Sequence, residues 1–135
     1  STSSIDNFIA NNLNAESFTD WFDAPAIKVT VGIVDGVVSA YLVLINEGGA
    51  HFVSKCYVAP EFHGRGLADS LLLDAVDVAT KRGSQRIHLG VNKANARAIR
   101  FYERHSFLIV GERTFTVGDQ IETDHILERT LTSNS

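Results

Sequence analysis

Residues 56–68 read CYVAPEFHGRGLA, and this stretch decides the fold because it joins a β-rich run to an amphipathic helix. A proline ends the β-rich run, and helical apolar spacing begins at Leu67. Gly64 and Gly66 open the helix, so backbone N–H groups can approach a ligand closely. A helix N-terminus adds about half a positive charge. The stretch therefore predicts an anion-binding turn, to which Arg65 adds a cation suited to phosphate.

Several kinds of glycine-containing turn are possible interpretations of this stretch. A Walker loop requires Gly-Lys followed by Ser or Thr, and the chain contains no Gly-Lys pair. A dinucleotide fingerprint requires a third glycine, where Asp69 stands, and a βαβ unit rather than hairpins. The glycine pair alone is also compatible with an ordinary tight loop. A nucleotide-binding protein stays as a rival hypothesis.

The elements on either side of this stretch define the fold class. Alternating apolar residues on both sides of Asp35-Gly36 predict a hairpin with a type I′ turn. Apolar spacing at residues 5–22 predicts helices ahead of the strands. After the central helix, the pattern predicts a strand at 87–91, a helix at about 95–105, and strands at 107–116 and 121–131. This order predicts an α/β fold with a mixed, mainly antiparallel sheet flanked by helices.

Composition restricts the class of protein. The 135 residues, 44% apolar and 21% charged, are typical of a single globular domain over residues 1–135. The net charge of −4 argues against broad binding to nucleic acid or to an anionic membrane. The sequence has no apolar run long enough to span a bilayer and no signal-peptide pattern, so we expect a cytoplasmic protein. Cys56 is the single cysteine, which excludes an internal disulfide.

A second stretch, residues 95–107, reads NARAIRFYERHSF. It resembles the second signature of the GNAT N-acetyltransferase family, Asn-x-x-Ala-x-x-Phe-Tyr-x-x-x-Gly-Phe. The glycine turn resembles that family's acetyl-CoA signature, Gln/Arg-x-x-Gly-x-Gly/Ala. Both occur in the family's order, and the resemblance spans about residues 28–131, the expected cofactor-binding core. It implies the acyl-CoA N-acyltransferase fold, with the strand that usually precedes the first helix missing from this chain.

The resemblance implies an acetyl-CoA-dependent enzyme that transfers an acetyl group directly to a primary amine through a tetrahedral intermediate. In the family, one strand splays from its neighbour to bind pantetheine, and loop N–H groups bind the pyrophosphate. These cofactor-binding roles fall here on Tyr57, Val58, His63, Gly64, Arg65, Gly66, Leu67 and Ala68. Asn95 is expected to cap its helix, to contact the cofactor, or both. Tyr102 matches the catalytic tyrosine that protonates the departing thiolate, and a core aromatic is the alternative.

Three departures from the family pattern concern the chemistry. Gly90 stands where some members carry a glutamate base, which also motivates the alternative of a non-catalytic acyl-CoA-binding or sensing module. The base stays open among a water relay and three side chains on neighbouring strands, His51, Lys55 and His88. His63 replaces Gln or Arg, which makes a phosphate contact weaker or pH-dependent. Ser106 replaces a glycine, so the turn after the second helix is expected to be strained or differently shaped.

The acceptor is predicted only as a class. In the family its pocket is built from the N-terminal helices, the central strands and the final hairpin, which here carry Trp21, Phe22, Tyr41, Phe115 and Asp124. This partly aromatic, acidic set favours a cationic amine, and a polyamine, an aminoglycoside, an amino acid and a protein N-terminus all stay open. The pocket is either open or completed by a second subunit in a homodimer. The five histidines lack metal-ligand spacing, so we expect no metal.

Overall fold

One mixed sheet carries the fold in the computed structural model, which describes residues 16–131. Its strands are β1 Glu16–Asp23, β2 Ile27–Val34, β3 Val37–Asn46, β4 Ala50–Val58, β5 Arg86–Asn92, β6 Leu108–Val117 and β7 Gln120–Thr130, and the helices are α1 Leu67–Lys81 and α2 Ala96–Arg104. The order across the sheet is β1-β2-β3-β4-β5-β7-β6. Within this range, β4 and β5 form the parallel pair, and the other neighbours are antiparallel. The predicted fold class is confirmed.

The hairpin between β2 and β3 forms as its turn residues dictate. Asp35 and Gly36 have φ values of 51° and 79°. Two successive positive φ angles are typical of a type I′ turn, whose twist matches that of the flanking strands. The hairpin pairs β2 with β3, with one register shift between Gly32 and Ile33.

Residues 16–22, which we predicted to be helical, form strand β1 instead. β1 pairs with β2 and occupies the edge that the sequence analysis left without a strand. The ring of Phe18 fills the space over Gly32, while Trp21 is the extra residue of a β-bulge and is 75% exposed. Cross-strand pairing therefore overrides the helical spacing of the apolar residues. The rest of the predicted helices, residues 5–15, lies outside the described residues.

α1 packs its apolar face against the middle of the sheet and forms the main core. Its buried residues are Leu67, Leu71, Leu72, Ala75, Val76 and Ala79. On the sheet, Leu42, Leu44 and Val53 belong to the same cluster. None of the helices in residues 16–131 is long and apolar enough to cross a membrane.

Both helices end in a Schellman motif, but with different residues at the left-handed position. After α1, Gly83 has φ 82° and donates its N–H to the Thr80 carbonyl at 3.0 Å. After α2, Ser106 has φ 68° and donates to the Glu103 carbonyl at 3.1 Å. A non-glycine residue is disfavoured in this conformation because its Cβ approaches a carbonyl oxygen. Ser106 therefore adopts the left-handed conformation from which the predicted strain would arise.

β4 and β5 diverge after a short paired segment. Their pairs are Ala50–Arg86, His51–Ile87 and Phe52–His88. Against β3, β4 then carries one extra residue, Ser54, in a β-bulge. A bulge bends its strand, so the end of β4 leaves β5 and a gap opens beside α1. The splayed strands that the family resemblance implies are therefore present.

Candidate active site

A cavity of about 520 Å³ lies between the splayed end of β4, the first turn of α1 and helix α2. Its wall brings both sequence motifs together. The predicted site residues that line it are Val58, His63, Gly64, Gly66, Leu67, Ala68, Asn95 and Tyr102. Two predicted cofactor-binding residues, Tyr57 and Arg65, are not part of this wall.

The loop before α1 is held by its own side chain and backbone contacts. The Nε2–H of His63 donates to the Val58 carbonyl at 2.8 Å, which ties the loop to the end of β4. Gly64 and Gly66 have φ values of 82° and 79°, and a Cβ on either would meet nothing within 4 Å. The open space beside both glycines lets a ligand approach the backbone, as an anion-binding turn requires.

The first turn of α1 supplies unpaired hydrogen-bond donors. The first N–H with an intrahelical partner is that of Ser70, which donates to Gly66 at 3.0 Å. The N–H groups of Leu67, Ala68 and Asp69 come before it and have no partner within the helix. Together with the helix dipole they form a site for an anion. This geometry fits the pyrophosphate position that the family resemblance implies.

The side chains of two predicted cofactor-binding residues, Arg65 and Tyr57, lie outside the cavity wall. The guanidinium of Arg65 lies over the ring of Phe62, 5.1 Å from its centroid, and Phe62 rather than Arg65 lines the cavity. Arg97 and Arg104 of α2 line the cavity and supply cations there. Tyr57 is 49% exposed, which leaves its backbone as the part that can contact a ligand in the gap.

A link between the two motif helices escaped the sequence analysis. The Asp69 carboxylate in the first turn of α1 contacts Nε2 of His105 at the end of α2, at 2.7 Å. This contact joins the start of α1 to the end of α2. Asn95 caps α2 as predicted, since its Oδ1 accepts the Ala98 N–H at 3.1 Å.

Tyr102 and Cys56 interact on the inner wall of the cavity. Burial raises the pKa of Tyr102 above its ordinary value of 10.0, and the neighbouring Cys56 adds to this rise. Burial also raises the pKa of Cys56 to about 11, although hydrogen bonding with Tyr102 opposes the shift. Both groups are therefore protonated and neutral near pH 7.

The two histidines considered as bases lie in the paired part of the sheet. His51 is fully buried, its Nδ1 lies 2.5 Å from the Ser84 hydroxyl, and burial lowers its pKa. His88 lies 2.7 Å from the Glu47 carboxylate. Neither histidine lines the cavity. Each histidine therefore has a polar side-chain partner of its own, Ser84 for His51 and Glu47 for His88.

The surroundings of Gly90 contain a carboxylate that the sequence analysis placed only in the acceptor pocket. Oδ2 of Asp124 lies 3.2 Å from the position that a Cβ on Gly90 would take. The Asp124 side chain is 13% exposed, and Nη2 of Arg113 donates to its Oδ2 at 3.4 Å. A carboxylate therefore lies beside the position where some family members carry a glutamate.

The five residues predicted to form the acceptor pocket do not come together. Trp21 and Phe22 lie on β1, whereas Phe115 and Asp124 lie on β6 and β7. These strands are at opposite edges of the sheet. Tyr41 lies between them on β3 and packs against Tyr57, with ring centroids 5.6 Å apart. The prediction of one pocket from all five is wrong, because residues 16–22 join the sheet edge.

Comparisons with known proteins agree with this geometry. A profile of the acetyltransferase (GNAT) family matches residues 4–107. An uncharacterized N-acetyltransferase of Mycobacterium bovis is 34% identical over 128 residues, covering 94% of this chain and 82% of that protein. The fold matches the ribosomal-protein-S18-alanine N-acetyltransferase of Escherichia coli with a TM-score of 0.79, 17% identity and coverage of 90% and 97%. It also matches an N-acetyltransferase of Thermoplasma acidophilum in complex with coenzyme A, with a TM-score of 0.67, 22% identity and coverage of 78% and 61%. The chain belongs to the GNAT family of N-acetyltransferases.

Proposed function

We propose that this chain binds acetyl-CoA in the 520 Å³ cavity and transfers the acetyl group to a positively charged primary amine. The observation that carries the proposal is the meeting of the glycine turn, the first turn of α1 and Tyr102 in one cavity. Acetyl-CoA supplies the acetyl group as a thioester. The C–N bond forms, the C–S bond breaks, and CoA leaves as the thiol with net release of one proton.

The chain's cations and helix N-terminus support binding of a polyanionic cosubstrate. The N–H groups of Leu67 and Ala68 point out of the first turn of α1, where the helix dipole favours negative charge. Arg97 and Arg104 add positive charge from α2. These groups form a local basic site within a chain of net charge −4.

The splayed end of β4 supports the binding of an extended chain such as pantetheine. Past Phe52, the β5 side of β4 has no strand partner among the described residues. The backbone of Tyr57 and Val58 can therefore pair with amide groups in the gap, as an edge strand pairs with an added strand. Val58 lines the cavity, and the outward Tyr57 contributes its backbone alone.

Tyr102 is the group that we assign to the leaving sulfur. Because its pKa is raised, the phenol stays neutral and keeps its proton for donation. An ordinary thiol has a pKa of about 8.5, below that of the phenol, so a hydrogen bond to the thiolate is favoured over complete proton transfer. Tyr102 therefore stabilises the departing thiolate as a hydrogen-bond donor, and solvent completes its protonation.

The acceptor class follows from the charge on β7. Glu122 and Asp124 alternate along this strand, so both face the same side of the sheet. Both are half-buried, which strengthens their attraction for a cation relative to fully exposed carboxylates. A cationic primary amine is the acceptor that this surface favours.

Paired glycine variants test the cofactor site. Gly66 and Gly36 share a φ of 79°, and a Cβ on either would meet nothing within 4 Å. Gly66→Ala and Gly36→Ala should therefore each lower the free energy of unfolding by about 1–2 kcal/mol. Only Gly66→Ala should weaken CoA binding, by about tenfold or more in calorimetry, because its Cβ enters the anion site. Equal CoA affinity in both variants would show that the glycine turn is not the anion-binding site.

The glycine at position 90 favours one alternative, a module that binds acyl-CoA without catalysis. The chain lacks the glutamate that some family members carry at this position. A thiol-release assay with acetyl-CoA and a panel of polyamines, aminoglycosides, amino acids and peptides separates the two. Tight CoA binding without thiol release on any amine would support the module and exclude the enzyme.

A further inference from the structure

We propose that Asp124 is the base of the transfer, accepting a proton that the acceptor ammonium must lose before its nitrogen attacks the thioester. The inference rests on the proposed function, because it assumes that the thioester lies in the gap between β4 and β5. The observation that motivates it is the Asp124 carboxylate beside Gly90. The base would thus come from β7 instead of β5.

The face of the sheet on which Gly90 lies follows from its neighbours. Successive residues of a strand point to opposite faces. Ile87, Leu89 and Val91 belong to the core formed with the helices. Gly90 therefore faces the other side of the sheet, two residues beyond the last β5 residue that pairs with β4. Tyr102 lines the cavity on the helix side of the sheet, so a base over Gly90 would approach the thioester from the face opposite Tyr102.

The space around Gly90 is matched to the Asp124 carboxylate. A Cβ at position 90 would lie 3.2 Å from Oδ2, which is closer than ordinary contacts of 3.4–4 Å. Gly90 is not among the residues with positive φ, so its backbone conformation does not demand glycine. The absence of a side chain makes room for the carboxylate of the neighbouring strand. One acidic group is thereby replaced by another from a different strand.

The contacts of Asp124 leave one carboxylate oxygen available. Arg113 donates to Oδ2 at 3.4 Å, and its guanidinium packs over the Phe115 ring, 5.7 Å from the centroid. Within residues 16–131 the structure gives Oδ1 no hydrogen bond, so this oxygen can accept one from an ammonium. Arg113 is 61% exposed, so solvent screens its charge at Asp124. Arg113 is accordingly a positioning residue.

The protons of this step balance without any reactant besides the amine, the thioester and solvent. The ammonium nitrogen gives one proton to Oδ1 of Asp124, which passes it to solvent. The nitrogen lone pair then forms the C–N bond, and the C–S bond breaks when the tetrahedral intermediate collapses. The nitrogen loses a second proton as the amide forms, and this loss balances the proton that the departing thiolate gains.

Two CoA thioethers test the place of Asp124 independently of turnover. S-(2-aminoethyl)-CoA carries an ammonium close to the sulfur, and S-propyl-CoA is its neutral analogue of equal length. Calorimetry should show the wild-type chain binding the ammonium compound about tenfold more tightly, as a charge-assisted contact predicts. Asp124→Asn should abolish this preference. Asp119→Asn, the same change in the exposed turn between β6 and β7, should keep it.

Turnover supplies the second measurement. Asp124→Asn should lower kcat by about 100-fold or more, the usual contribution of a positioned base, with the KM for acetyl-CoA unchanged within about twofold. Asp124→Ala clears the space beside position 90, so adding Gly90→Glu to it should recover about tenfold of the lost rate or more. A merely structural role for Asp124 predicts no such recovery.

The possible failures are distinguishable. A wild-type chain that binds neither thioether overturns the proposed function and this inference with it. A chain that binds both equally, or whose preference for the ammonium survives Asp124→Asn, overturns the assignment of Asp124 alone. Unchanged kcat in Asp124→Asn leads to the same conclusion.

Discussion

Alkylation of Cys56 by iodoacetamide probes the inner wall of the cavity. Burial raises the pKa of this thiol from 9.0 to about 11. The thiolate is the reacting form, so at pH 8 about one Cys56 in 1,000 is reactive, against about one in ten for a thiol with the ordinary value. We expect folded protein to be alkylated about 100-fold more slowly at pH 8 than the same chain unfolded in urea.

Mass spectrometry of the alkylated chain measures this rate directly. Between pH 7 and 10 the rate should rise about tenfold per pH unit, because the thiolate fraction does so below the pKa. Saturating CoA should slow alkylation further, since Cys56 lines the cavity that CoA is proposed to fill. The matched control moves the thiol to the exposed bulge residue of the same strand, in the variant Cys56→Ala with Ser54→Cys. That thiol should react at about the rate of a free one.

Two results would refute this reasoning. Alkylation of folded Cys56 at pH 8 within about threefold of the unfolded rate would show that the thiol is not buried as described. A rate that saturating CoA leaves unchanged would place CoA outside the cavity, whatever the absolute rate. The first result tests the raised pKa of Cys56, and the second tests the place where CoA binds. Either statement can therefore be refuted without the other.

Three further substitutions concern the helix ends, two at the ends of α2 and one at the end of α1. Ser106→Gly should raise the free energy of unfolding by about 1 kcal/mol, because glycine adopts the left-handed conformation without strain, whereas Gly83→Ser should lower it by a similar amount. Urea denaturation measures both, and a destabilised Ser106→Gly chain would contradict the strain argument. Asn95→Ala should cost about 1 kcal/mol, since the bond from the Ala98 N–H is lost. If calorimetry also shows weaker CoA binding, Asn95 contacts the cofactor as well as capping the helix; unchanged binding limits it to the cap.

Local patterns sufficed for most elements of the fold. The type I′ turn at Asp35-Gly36 and the cap at Asn95 each depend on a few neighbouring residues. The prediction of a helix at residues 16–22 was wrong because the conformation of this segment depends on distant residues. Its conformation depends on pairing with β2 and on the space over Gly32. The spacing of Phe18 and its neighbours records neither of these tertiary contacts.

The same distinction applies to the site. The glycine turn and Tyr102 are visible as motifs, and the structure brings them into one cavity. The contact between Asp69 and His105 joins residues 36 positions apart, and no local signal marks it. The carboxylate over Gly90 depends on the pairing of β5 with β7, which sets Asp124 opposite Asn92. The register between β5 and β7 therefore places an aspartate beside the position where the glutamate is missing.

The bulge at Ser54 accounts for the site more fully than any single functional side chain. Before the bulge Val53 faces the core, and strict alternation would turn Lys55 and Tyr57 toward the helices. The extra residue shifts the alternation by one, so Cys56 and Val58 face the cavity and Tyr57 is exposed. The same residue bends β4 away from β5 directly after their last pair. One inserted residue thus opens the gap and also decides which side chains line it, so deleting Ser54 would disturb both together.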